Sequence, residues 1–129
     1  DAEMMEDLTL RKSCQKISHS EDDSITFRFL SPLPSPEYSP EAVLIHFEIA
    51  PHAQDVTEPV RHHSEEILYV TEGELTVQIG DRDIVLMEGD TTVIQKNIPH
   101  ICKNNRHVPV KGISVISPPV WGKMNEIGD

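Results

Sequence analysis

Side chains able to hold a metal ion are densest in one stretch, Pro59-Val60-Arg61-His62-His63-Ser64-Glu65-Glu66, and recur at Ile98-Pro99-His100. Imidazole nitrogen with carboxylate oxygen suits Fe²⁺, Mn²⁺, Ni²⁺, Zn²⁺ or Cu²⁺. Geometry limits how His62 and Glu66 could share one ion. On a straight strand four residues span about 13 Å, against metal–ligand distances of about 2 Å. The chain must therefore fold back through His63-Ser64-Glu65, so that His62 ends one strand and Glu66 begins its neighbour. A helix also brings positions i and i+4 together, but Pro59, Val60 and the β-type run that follows argue against one. Taken alone, a His-x3-Glu is more often a solvated pair at a turn, and a histidine after proline is more often a loop residue. The two groups gain weight because they occur together.

The elements around them read as strands. Ile25-Thr26-Phe27-Arg28-Phe29 alternates apolar and polar, as a half-buried strand does. Pro32, Pro34, Pro36 and Pro40 make residues 31–40 a loop. Further strands are expected over Ala42–Ile49, Ile67–Val70, Leu75–Ile79, Asp83–Met87, Thr91–Gln95, His100–Lys103 and Val110–Ser117, with turns at Gly73, Gly80-Asp81 and Gly89-Asp90. Their recurrence every 8–12 residues or so predicts an all-β antiparallel sandwich or barrel. Residues 1–24, polar and acidic, read as an arm or linker, with a short strand at Leu8-Thr9-Leu10. The barrel is expected over 25–120 and a tail over 121–129. Trp121 is expected to cover an edge or a subunit contact.

Period-2 facing extends the candidate site. If His100 points inward, so do Cys102 and Asn104; if Glu66 does, so do Leu68 and Val70. Arg61, between Val60 and His62, is expected to face away. His46 is expected at the surface.

Both ligand-rich groups sit in a frame that resembles the cupins, whose motifs are commonly written G-x5-H-x-H-x3/4-E-x6-G and G-x5-P-x-G-x2-H-x3-N. His62-x3-Glu66-x6-Gly73 fits the end of the first, and Gly89-x5-Gln95-x-Asn97-x2-His100-x3-Asn104 fits the second at every spacing. The resemblance implies a single double-stranded β-helix, a jelly-roll-like antiparallel barrel. Carried over by position, it implies a divalent transition metal, Fe, Mn, Ni, Zn or Cu, on His62, Glu66 and His100. His63 is the rival to His62, one residue short of the motif spacing. Val60 falls where the usual first histidine stands and cannot ligate, so Val60, Leu68, Cys102 and Asn104 are candidate pocket positions. Gln95 replaces the usual Pro and Asn97 the usual Gly; Asn tolerates the left-handed backbone that Gly would supply. The surviving 2-His-1-carboxylate set is that of non-haem Fe(II) sites with open positions, and a cupin-type epoxidase of hydroxypropylphosphonate is similar in lacking the first histidine.

Leu10-Arg11-Lys12, Ile25 to Pro32, His62 to Gly73 and Val115-Ile116-Ser117-Pro118-Pro119 together are similar to the C-terminal cupin sensor domains of XRE-type helix-turn-helix regulators. That resemblance implies a small-molecule-sensing domain, with a metal-dependent cupin enzyme (dioxygenase, epoxidase or isomerase) as the alternative. A homodimer is expected by analogy, since pairing protects sheet edges.

Composition bounds these readings. With 129 residues, 37% hydrophobic and 26% charged, the chain can build one core and is not generally disordered. A net charge of −11 opposes docking on phosphate backbones, so no direct nucleic-acid binding by this chain is expected. No apolar run reaches about 18 residues, so no membrane span is expected. Cys14 and Cys102 form no CxxC pair, and a reducing cytoplasm is the default. The acidic start at Asp1, without Met, suggests a piece cut from something longer.

Overall fold

A computed structural model describes residues 5–119. Eleven strands follow in chain order: β1 (Met5–Glu6), β2 (Thr9–Leu10), β3 (Ile17–His19), β4 (Ile25–Phe29), β5 (Val43–Ile49), β6 (Glu65–Glu72), β7 (Leu75–Ile79), β8 (Arg82–Leu86), β9 (Thr91–Ile94), β10 (His100–Lys103) and β11 (Val110–Ser117). Among the described residues the one helical element is a 3-10 turn at Lys12–Cys14. The all-β expectation holds, and most strand limits lie within two residues of those read from alternation.

The strands form two main antiparallel sheets. One has six strands in the order β3-β4-β5-β11-β6-β9, the other three in the order β10-β7-β8, and β1 pairs β2 separately. Consecutive strands repeatedly change sheet, which closes the two layers into a barrel. Part of the segment read as an arm joins this architecture: Ile17–His19 pairs Thr26–Arg28 as the edge of the six-stranded sheet. Three exposed residues carry too little alternation to announce a strand; what holds them is the open backbone edge of β4. Trp121 and the tail lie outside the described residues.

Between the layers, inward side chains of β4, β5, β6, β7, β9 and β11 make one core around Ile49, Val70, Leu75, Val77, Ile94 and Val110. Each such buried side chain contributes about 1.5–3 kcal/mol of transfer free energy. Two glycines permit close approach. A Cβ on Gly73, at φ +85°, would lie 2.6 Å from the Pro109 carbonyl oxygen. One on Gly112 would lie 2.4 Å from both the Phe47 ring and the Tyr69 carbonyl oxygen, where β11 shifts register against β6. On the opposite, outer face of the six-stranded sheet, Leu44, Val115, Ile67 and Val93 stand in cross-strand register as an apolar row.

Candidate metal centre

The segment ahead of β6 belongs to neither sheet alone. Val60 pairs His100 through two backbone hydrogen bonds, 3.1 and 2.9 Å long, which ties the segment to the three-stranded sheet. The chain then turns at His63-Ser64 and enters the six-stranded sheet at Glu65. The His62 carbonyl accepts the Asn97 N–H at 2.8 Å, and Asn97 sits at φ +65°, the left-handed conformation expected of it. Ser64 is fully buried and donates its hydroxyl to the Pro118 carbonyl, fixing the turn. This is the fold-back that a shared site between His62 and Glu66 requires, although His62 lies on a crossover rather than at a strand end.

His62, Glu66 and His100 converge. Their donor atoms all lie within 4.8 Å of one another. Glu66 Oε1 is 3.5 Å from His62 Nε2 and 3.6 Å from His100 Nε2, and the three side chains are 10%, 16% and 5% exposed in that order. The imidazoles meet edge to face, with centroids 4.9 Å apart. Each ring donates Nδ1–H to a backbone carbonyl: His62 to Ser64 at 3.1 Å and His100 to Ile98 at 2.9 Å. That assignment leaves both Nε2 lone pairs facing Glu66, the arrangement by which metal-binding histidines are oriented. Ser114 Oγ donates to Glu66 Oε2 at 2.8 Å, so Oε1 is the oxygen aimed at the histidines.

A divalent ion fits this geometry. Ligand atoms about 2.1 Å from a tetrahedral centre are separated by about 3.4 Å, close to the spacing of Glu66 Oε1 from each imidazole. Three protein donors of this type leave room for an outside ligand. The Glu66 carboxylate beside it raises the His62 imidazole above its usual range, partly offset by burial.

The cluster lies in the wall of a cavity of about 310 Å³, whose remaining lining is mostly apolar, with Phe27, Ile45, Phe47 and Leu68 among it. Of the candidate pocket positions, Val60, Leu68 and Cys102 line this cavity. Asn104 does not; it is buried with its amide donated to the Ile49 and Val108 carbonyls, where it holds the β10–β11 loop. Its inward parity ends with β10 at Lys103. Arg61 lines the cavity, contrary to expectation, because alternation does not extend through the crossover. Burial pushes the Cys102 thiol well above its usual range, with Asp55 and Glu66 adding to the shift. His63 is exposed and lies outside the cluster, and His46 is half-buried on β5.

Two residues of this region were not singled out from the sequence. Ser114 occupies the inward parity of an otherwise apolar strand, a signal that alternation offers. Asp55 sits in an aperiodic loop and lines the cavity; nothing in its spacing marks it.

The Cupin_2 family, described as a cupin domain, matches residues 45–116. The tetracenomycin polyketide synthase protein TcmJ of Streptomyces glaucescens is 29% identical over 85 residues, 66% of this chain and 56% of that protein. The chain thus spans little more than half of that relative. The polyketide cyclase RemF of Streptomyces resistomycificus superposes with a TM-score of 0.66 at 21% identity, covering 92% of this chain and 90% of RemF. The Cupin_2 domain of an XRE family transcriptional regulator from Enterobacter cloacae gives 0.62 at 23% identity, covering 75% and 99%. Both structural likenesses are likenesses of fold. Among the described residues no helix is long and apolar enough to cross a membrane.

Proposed function

The chain belongs to the cupin family, as a Cupin_2 domain over residues 45–116, and from that premise we propose that it is a metal-binding domain that senses a small, largely apolar molecule held in its barrel. The observation that carries this reading is the convergence of His62, Glu66 and His100 in the wall of a mostly apolar cavity of about 310 Å³. Cavities of this size and lining suit compact organic ligands. A bound Fe, Mn, Ni, Zn or Cu ion would supply Lewis acidity toward a ligand oxygen. The chain's own residues do the rest. Nδ1 hydrogen bonds hold the imidazoles, Ser114 holds Glu66, and Phe27, Phe47 and Leu68 exclude water.

Sensing is supported by the likeness to the cupin domain of the XRE regulator, with the motif order along the chain. On this reading a partner DNA-binding domain reads out ligand occupancy. Homodimerisation belongs to the proposal, supported by the outer row of Leu44, Val115, Ile67 and Val93. A second reading, a cupin enzyme on the same 2-His-1-Glu set, is favoured by the likeness to TcmJ and RemF, described as a polyketide synthase protein and a polyketide cyclase.

The deciding experiment is elemental analysis of untagged protein beside a His62→Ala/His100→Ala double variant, followed by a small-molecule thermal-shift screen. Near-stoichiometric metal in the parent and little in the variant is expected. Equal metal content in the two, or none after anaerobic Fe(II) reconstitution, overturns the metal site. Turnover of a hit, abolished by Glu66→Ala, would decide for the enzyme.

A further inference from the structure

The loop after β5 and the loop between β10 and β11 each set an exposed histidine against the other. His52 Nε2 lies 3.1 Å from His107 Nδ1, and the rings meet edge to face with centroids 4.9 Å apart. Neither ring lines the cavity or belongs to the His62, Glu66 and His100 cluster. Backbone hydrogen bonds fix both loops. Ala50-Pro51-His52-Ala53 is a tight turn, closed by the Ala53 N–H on the Ala50 carbonyl at 3.2 Å. His52 takes its third position at φ +64°, where glycine or asparagine is usual and other side chains carry a conformational cost. Asn104 brackets His107: its Oδ1 accepts the Arg106 N–H at 2.9 Å, and its amide donates to the Val108 carbonyl at 2.8 Å. The Asn104 N–H also donates to the Ala53 carbonyl at 2.8 Å, so one residue supports both histidines.

A hydrogen bond between two exposed imidazoles, where water competes, adds little to the loop, and glycine at position 52 would hold the turn without the conformational cost. The spacing suits ligation better. Two nitrogens about 2.1 Å from one ion and at right angles to each other lie about 3.0 Å apart, the cis arrangement of square-planar and octahedral centres. Both rings are exposed, so a modest turn of each aims both lone pairs at a common point. The hydrogen bond needs one facing nitrogen protonated and ligation needs neither; the proton shifts to the far nitrogen of its own ring, and both imidazoles stay neutral. Among the described residues no third His, Cys, Asp or Glu joins the pair, so water or an outside ligand completes the shell.

We propose that His52 and His107 form a second transition-metal site, taking Cu²⁺ or Ni²⁺, that straps the loop after β5 to the β10–β11 loop. The strapped loop carries Asp55 and Val56 into the cavity wall, so an ion on the outside stiffens one side of the cavity. The site does not depend on whether the barrel cluster holds metal.

The test titrates Ni²⁺ calorimetrically into untagged, chelator-treated parent, His52→Gly and His107→Ala, each at the same pH. His52→Gly removes one donor and relieves the left-handed backbone, so it should fold at least as well as the parent. Losing one of two preorganised donors turns an intramolecular second contact into none, and the affinity of this site should fall about 100-fold in either variant. The readout is a difference of one ion per chain between parent and variant, whatever the barrel cluster binds, so failure of the barrel's metal reading leaves it intact. Hydrogen exchange then tests the strap. At about ten times the dissociation constant, a loop opening that must release the ion slows about tenfold, and this slowing is expected at the Asp55 and Asn104 amides of the parent and not of His52→Gly. Equal Ni²⁺ stoichiometry and affinity in parent and both variants overturns the site. Binding that leaves exchange at those amides unchanged overturns the strap.

Discussion

Replacing Ser114 by alanine removes one hydroxyl from the candidate metal centre without touching any of its three donors. Ser114 Oγ lies 2.8 Å from Glu66 Oε2, and the two residues are only 4% and 8% exposed, so water does not readily replace the lost donor. A hydrogen bond to a charged group contributes about 1.5–3 kcal/mol. Without it, Glu66 is freer to rotate Oε1 away from the imidazoles, so the three donors are less well preorganised for an ion. The expected result is a 10–100-fold weaker affinity, the range known for residues that support metal ligands. The assay is competition for Zn²⁺ or Co²⁺ against a chromophoric chelator at fixed pH. Ser117→Ala, on the same strand, is the control. Its hydroxyl serves the exposed Glu41 carbonyl at 2.7 Å, and its removal should leave affinity unchanged. If Ser114→Ala binds as tightly as the parent while His100→Ala does not, Ser114 does not position Glu66. If none of these changes matters, the ion is not held by this cluster.

Other expectations follow from the same structure. Val60→His places an imidazole where Val60 now lines the cavity beside His100, and it should tighten metal binding by about tenfold or more in the same competition assay. Asp55 has a carboxyl raised to about 6 from 3.8, so the native state binds the extra proton between those values and stability falls as pH rises through that window. The full cost above pH 6 is at most about 3 kcal/mol. Asp55→Asn should therefore flatten the pH slope and be about 1–2 kcal/mol more stable than wild type at pH 8, with parity near pH 4, measured by urea unfolding of metal-free protein; an unchanged slope would contradict this. Gly112→Ala drives a methyl into the Phe47 ring and the Tyr69 carbonyl and should cost about 2–3 kcal/mol, read as a lowered denaturant midpoint.

Most strands were legible because β4, β5, β7 and β11 alternate apolar and polar side chains, and alternation is what a two-layer barrel demands. His62, Glu66 and His100 were legible for a different reason. Their spacing to Gly73, Gly89 and Asn104 encodes turns, and turns set which residues face one another. Asn97 was legible because its backbone conformation favours few residue types. Asp55, Arg61 and β3 were not. Asp55 is placed by backbone pairing along β10, which any sequence could make. Arg61 lies on a crossover where strand parity has no meaning, and β3 is held by its neighbour rather than by its own pattern. Asn104 shows the converse error: parity was extended one residue beyond the strand that gave it meaning.

The three donors come from the crossover, from β6 in the six-stranded sheet and from β10 in the three-stranded sheet. An ion held by all three is therefore a rivet between the two walls, closing a loop of about 38 residues from His62 to His100. By the chain-entropy relation for a cross-link, a closure of that length restricts the unfolded chain by about 4 kcal/mol. Whatever the barrel binds, its resistance to unfolding then rises with free metal concentration. Metal supply would set the lifetime of the folded domain as well as the state of its site.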